Sequence, residues 1–281
     1  MFEQTLDAAA TAAQKKVAAL EQSLPRYLIL AALAGAYVGL GIALIFAIGA
    51  PLSAAGSPFT KVVMGASFGI ALSLVIVAGA ELFTGNVMLL PVGRFAGRAS
   101  WSQLAGLWGW SFVGNLVGSI GLAALLAASG AFAADPQRGF IEATAQTKMH
   151  LPFWSAFARG ILANWLVCLA VWCTFRTSSE MAKLVMVFWC LFGFIGAGFE
   201  HSVANMTLLA LALFQPHADT LTWWGYLNNL VPVTLGNIVG GAGFVAAAYW
   251  FASPLAVRRP ASSAEPVAEP ARSIAGQAVA S

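Results

Sequence analysis

Charged side chains are what this 281-residue chain has least of: Asp, Glu, Lys and Arg together make up 9% of it, against about 25% in a soluble domain. With 59% apolar residues and a mean hydropathy of +0.80, that scarcity excludes a water-soluble globular fold. The basic residues that remain are parcelled between loops, which argues against a nucleic-acid partner. Cys168, Cys173 and Cys190 fall inside apolar runs at no metal-ligand spacing and read as small buried residues. Of the three histidines, His150 and His217 lie in outer loops and only His201 sits well inside an apolar run. Paired axial haem ligands are therefore missing, and the last run carries no lysine for a retinal Schiff base. No cofactor, metal or enzymatic chemistry is expected. Residues 1–26 lack the apolar core of a secretory signal.

What the chain has instead is long hydrophobic runs, near 28–49, 62–92, 103–129, 153–175, 184–214 and 223–252. A helix crosses the hydrocarbon core with about 20 residues, so the second and fifth runs are too long for one straight span. The fold class is an all-α integral membrane protein with six transmembrane helices, spans 2 and 5 interrupted. Basic residues supply the orientation. Lys15, Lys16, Arg26, Arg94, Arg98, Arg176, Lys183, Arg258, Arg259 and Arg272 share one face, and the other receives Lys61, Arg138 and Lys148. Both termini are expected to be cytoplasmic. Phe2, Leu6, Ala9, Ala13, Val17, Leu20 and Leu24 recur at three- and four-residue steps. Residues 1–26 thus read as a cytoplasmic amphipathic helix, on the membrane surface or against neighbouring chains. Residues 27–253 form the six-span domain in membrane lipid, and the Pro-, Ala- and Ser-rich 254–281 read as a disordered cytoplasmic tail.

The two interruptions are copies of each other. A shift of 119 positions places Glu81 on Glu200, Asn86 on Asn205, Leu89 on Leu208 and Gly79 on Gly198; Gly114-Asn115 echoes Gly236-Asn237 at a shift of 122. Each half holds three spans, so the copies enter the membrane from opposite sides as an inverted 3+3 repeat. Four-residue glycine spacings at Gly35/Gly39, Gly65/Gly69, Gly114/Gly118 and Gly236/Gly240 mark close helix packing. Asn115 and Asn237, repeated within that packing code, read as interhelical hydrogen bonders.

A helix broken in hydrocarbon frees backbone groups that must be satisfied, so such breaks persist only inside protein or beside a cavity. Glu81 and Glu200 are expected to cap or hydrogen-bond the interrupted backbone, with Asn205 as a further scaffold residue. The copies differ where function is expected. His201 stands where the first copy has Leu82, and Thr84 where the second has Val203. An imidazole inside a span is a functional candidate, with Thr84 as its hydrogen-bond partner.

Gly79-Ala80-Glu81-Leu82-Phe83-Thr84 and the stretch from Gly198 through Glu200-His201 to Asn205-Met206 resemble the two signatures of the formate/nitrite transporter family, over about Phe2 to Phe251. Gly35 to Gly41, Asn164 to Ala170 and Thr207 are most similar to its nitrite-conducting members, and Glu81 stands where formate channels usually carry Asp. The resemblance implies an aquaporin-like fold, a homopentamer in the bacterial inner membrane and one pore per protomer. It implies that His201 is the central pore histidine, near Thr84 and Asn164. By the same resemblance Phe68, Leu72 and Phe194 form an outer constriction, Leu82 and Val167 part of an inner one, and Lys148 attracts anions to the outer vestibule. Nitrite passing in a pH-dependent manner is the expected function; formate and hydrosulfide are alternatives, and a membrane redox protein is the reading from another class.

Overall fold

The computed structural model describes residues 2–256. Among these there is no strand, and six helical segments are long and apolar enough to span a membrane. After α1 (Glu3–Gln22), α2 (Leu24–Ala54) forms the first span. The second enters as α3 (Thr60–Ser67), α4 (Gly69–Leu74) and a π-helical turn (Val75–Gly79), breaks over 80–82, and leaves as α5 (Phe83–Phe95). The third is α6 (Trp101–Ala128), followed by the amphipathic α7 (Gln137–Met149) and the fourth span, α8 (Phe153–Thr174). The fifth enters as α9 (Glu180–Ala197), breaks over 198–201 and leaves as α10 (Ser202–Leu213). The sixth is α11 (Trp223–Ile238), a π-helical stretch (Val239–Ala247) and α12 (Ala248–Phe251). At 1.5 Å per residue, α5 and α10 are each about 18–20 Å long, half a membrane with its interface.

Local chemistry sets these boundaries. Ser23, Ser100, Ser179 and Thr222 accept a backbone N–H at the starts of α2, α6, α9 and α11, and Ser100 forms a reciprocal capping box with Gln103. Both breaks begin at a glycine in the left-handed region, Gly79 at φ 82° and Gly198 at φ 74°. That conformation strains any residue with a Cβ, so the repeated glycine marks where each helix stops.

The inverted repeat is visible in packing: α2 lies along α6 as α8 lies along α11. A Cβ on Gly118 would overlap the Ala32 carbonyl, and one on Gly236 the Phe157 carbonyl. The glycine spacings thus serve close backbone approach, although Gly69 has ordinary room beside Phe188. Gly118→Val is expected to separate α2 from α6 and cost more than the ~1–3 kcal/mol of ordinary overpacking, because backbone is the obstacle. Loss of monodisperse protein in size-exclusion chromatography would register it; a wild-type elution profile would contradict it.

The amphipathic helix docks on its own chain. Leu6, Ala9, Ala10, Ala13 and Val17 are buried, and Ala13 faces Gly93 of α5. Arg98 pairs with Asp7, and Arg176 donates to Thr5 Oγ1 at 3.1 Å. From residue 257 on, the tail expected to be disordered lies outside the described residues; Pro254–Ala256 form a single tight turn.

Candidate pore at the two helix breaks

Each break is stitched to its neighbours by one buried asparagine. Asn115 Oδ1 accepts from Phe83 N at 2.9 Å, and its Nδ2 donates to the Glu81 and Ala31 carbonyls at 2.9 and 2.8 Å. Asn237 repeats this set: Oδ1 accepts from Ser202 N at 2.8 Å, and Nδ2 donates to the Glu200 and Gly160 carbonyls at 3.0 and 2.7 Å. Glu81 N and Glu200 N then reach Leu30 O and Arg159 O at 3.1 and 3.2 Å. The amides satisfy what the interruption frees.

The carboxylates do something other than the expected capping. Glu81 accepts from Lys16 Nζ at 2.7 Å, with Tyr27 Oη and Asn86 Nδ2 each at 3.4 Å. Glu200 accepts from Lys148 Nζ at 2.7 Å and Asn205 Nδ2 at 2.6 Å, and Asn205 also donates to Asn229. Only the backbone of each glutamate serves the break; its side chain anchors a lysine from a peripheral helix. Asn205 is therefore part of a charged network rather than of the backbone stitching. Lys148 is correspondingly not a free cation, because its charge is matched by Glu200.

Two cavities approach the breaks from opposite sides. One, about 820 Å³ and on the face expected from the basic residues to be outer, is lined by Lys148, Arg159, Phe194, Glu200 and His201 among others. The inner one, about 390 Å³, is lined by Lys16, Leu72, Glu81, Leu82 and Val171 among others. Thr84, fully buried, lies between residues of both: it bonds to His201 and neighbours Leu82 and Gly85 in sequence. Phe194 stacks on the His201 ring at 5.8 Å and meets Phe68 edge-on at 5.5 Å. The expected constriction residues Phe68, Leu72, Phe194, Leu82 and Val167 are all buried. Leu72, assigned to the outer ring, lines the inner cavity instead, whereas Phe68 and Val167 line neither. Val171, one helical turn beyond Val167, takes the inner position. Asn164 fixes Thr84 by donating to its carbonyl at 3.2 Å and to Asn237 O at 2.7 Å.

His201 is the N-cap of α10, and Thr84 the second residue of α5. The positive ends of two oppositely running helices therefore meet where Nε2 of His201 lies 3.0 Å from Thr84 Oγ1. Ala204 N–H donates to His201 Nδ1 at 3.2 Å, so Nδ1 holds a lone pair. In the neutral ring the proton is on Nε2, which donates to Thr84 Oγ1 and leaves the threonine hydroxyl proton available to an acceptor. Thr84 N, Gly85 N and Val203 N have no partner among the described residues. The arrangement offers donors without a fixed positive charge, which suits a small anion in passage.

Sequence reasoning left three lining cations, Lys16, Lys61 and Arg159, without a role in the pore. The repeat does not point to Lys16, since the 119-residue shift places Lys148 on Ile29 and Lys16 precedes the six-span domain; Arg159 carries the one charge within α8.

Comparison with known proteins places most of the chain. The profile of the family described as Formate/nitrite transporter matches residues 3–251. The nitrite transporter NirC of Escherichia coli (strain K12) is 44% identical over 259 residues, covering 92% of this chain and 95% of the relative. A probable formate transporter of Methanothermobacter thermautotrophicus is 40% identical over 255 residues, covering 84% and 92%. Among solved structures, an FNT family ion channel superposes with a TM-score of 0.85 at 43% identity, covering 89% of this chain and 99% of its own. A pentameric formate channel with formate bound gives 0.72 at 33% identity, covering 83% and 98%.

Proposed function

Because the chain belongs to the formate/nitrite transporter family, we propose that it conducts nitrite, a small monovalent weak-acid anion, past His201 in the bacterial inner membrane, with both termini cytoplasmic. The observation that carries this reading is the buried imidazole on Thr84 where two helix N-termini converge between two cavities. It works as a homopentamer, a reading supported by the pentameric formate channel it resembles.

A bare charge at mid-bilayer costs from about 3 to 17 kcal/mol. The converging helix ends and the Thr84 hydroxyl lower that barrier for an anion and raise it for a cation. Protonating His201 adds a proton at Nδ1, which displaces the Ala204 N–H. The imidazolium then presents Nε2–H to the anion, as a charge partner or by transferring that proton to a nitrite oxygen. Transfer leaves nitrous acid and a neutral ring, and nitrous acid releases the proton on the far side. If the ring is recharged from the side on which nitrite arrived, one proton crosses with each nitrite; recharged from the far side, net movement is the anion alone.

Nitrite flux into liposomes carrying the purified protein, at about pH 5.5 and about pH 7.5, tests both parts, since this interval brackets the ordinary range of histidine; electrical recording then separates proton-coupled passage, which carries no current, from passage of the anion alone. Conduction of nitrite that rises as pH falls is expected. No nitrite passage would sink the assignment, and passage indifferent to pH would sink the proton step. Formate is the second reading, because the archaeal relative is named for it and the His201–Thr84 pair offers the same donors to either anion. Competition by formate and by hydrosulfide against nitrite uptake ranks the substrates.

A further inference from the structure

The two cavities are mirror images in their ion pairs but not in their charge. In the inner one Lys16 is matched by Glu81. In the outer one Lys148 is matched by Glu200, whose side chain is only 3% exposed. Two more cations, Lys61 and Arg159, line that same outer cavity, and neither has a hydrogen bond or ion pair from its side chain among the described residues. The outer mouth therefore carries uncompensated positive charge and the inner mouth carries none.

Of the two, Arg159 is held closer to the break. Its carbonyl accepts from Glu200 N at 3.2 Å, which fixes this turn of α8 against the residue preceding His201. It also lies five residues before Asn164 on the same helix, about 7.5 Å along the axis. Lys61 sits instead at the second residue of α3, with no hydrogen bond to either break among the described residues. The guanidinium is planar and presents paired N–H donors in a rigid fork that fits two oxygens on one central atom. Nitrite and formate have that shape; hydrosulfide and halides do not.

We propose that Arg159, rather than Lys148, recruits the anion in the outer cavity and favours planar two-oxygen monovalent anions there. This rests on the proposed function and names the residue that sets its substrate class. Lys148 cannot share the task without abandoning Glu200, and an unpaired carboxylate would repel the same anion. Recruitment then acts on one side only, so half-saturation should differ between the two mouths, and salt should weaken it at the outer mouth.

The test uses the full chain in planar bilayers, with nitrite supplied to one compartment at a time. Arg159→Gln is expected to raise half-saturating nitrite about tenfold from the outer side, with maximal flux and inner-side half-saturation near wild type. It should also flatten the salt dependence. Arg159→Lys retains the charge and loses the fork, so it should recover the salt dependence while losing the preference of nitrite over hydrosulfide. Wild-type half-saturation in Arg159→Gln would overturn the proposal, as would a full shift in Lys61→Gln with none in Arg159→Gln. Retained nitrite preference in Arg159→Lys would overturn the selectivity claim. Wild-type protein that passes neither nitrite nor formate would fail the proposed function itself, a result distinct from conduction that ignores Arg159.

Discussion

Replacing His201 by phenylalanine is expected to lower nitrite flux in reconstituted liposomes by about 10- to 100-fold and to flatten its pH dependence. The substitution keeps a planar ring of similar size, so the stacking on Phe194 and the seal between the cavities survive. It removes both ring nitrogens. Without Nε2 the anion loses the proton it would take from the ring, and the Thr84 hydroxyl loses the imidazole that orients it. A hydrogen bond to a charged group contributes about 1.5–3 kcal/mol, which corresponds to the stated loss at about 1.4 kcal/mol per factor of ten. Without Nδ1 the N-cap bond to Ala204 disappears, at a stability cost of about 1 kcal/mol, too little to prevent assembly, and elution volume checks that. Wild-type flux with wild-type pH dependence would remove His201 from the mechanism. Thr84→Val should reduce the flux less, because it takes away a partner and leaves the titrating group; an equal or larger loss would reverse that ranking.

Much of the pore was legible because the chain is a duplicated sequence. The shift that superimposes Glu81 on Glu200 also locates both helix breaks, and the residues that violate it, His201 and Thr84, are those the structure brings within 3.0 Å. The repeated asparagines were identified as interhelical hydrogen bonders, and the structure extends this: each holds three backbone groups around a break. Charge pairing was not legible. Lys148 and Glu200 stand 52 residues apart on a peripheral helix and a break, and Lys16 and Glu81 stand 65 apart. Nothing in one sequence says which of several basic residues reaches a given carboxylate, so Lys148 read as a free cation. The side of the seal on which Leu72 falls was equally hidden, because the span changes its winding on both sides of that residue: Phe68 N–H bonds to Gly65 O at 3.2 Å in a tight i→i+3 step between α3 and α4, and α4 then widens into a π-helical turn before the break.

The largest structural effect is expected from Asn237→Leu. The side chains are close in volume and the site is fully buried, so the change tests hydrogen bonding with little change in packing. Two backbone groups in the break lose their partner at once, Ser202 N and the Glu200 carbonyl, and the Gly160 carbonyl inside α8 loses the bond it makes beyond its own helix. Each stranded buried group costs about 1–3 kcal/mol, so the two together reach the lower end of the stability of a typical domain, about 5–15 kcal/mol. Folded protein should fall sharply in expression and in a size-exclusion thermal melt. Asn115→Leu breaks the mirror-image set, yet it should cost less. Glu81 borders the inner cavity and is half-buried, so water can reach its freed carbonyl, whereas Glu200 is 2% exposed. A melting temperature for Asn237→Leu above that of Asn115→Leu would reverse this ranking, and wild-type melting in both variants would mean that something other than these amides holds the breaks. The seal at His201 would then owe its geometry to the lysine–glutamate pairs, and Glu200→Gln would become the destabilising change.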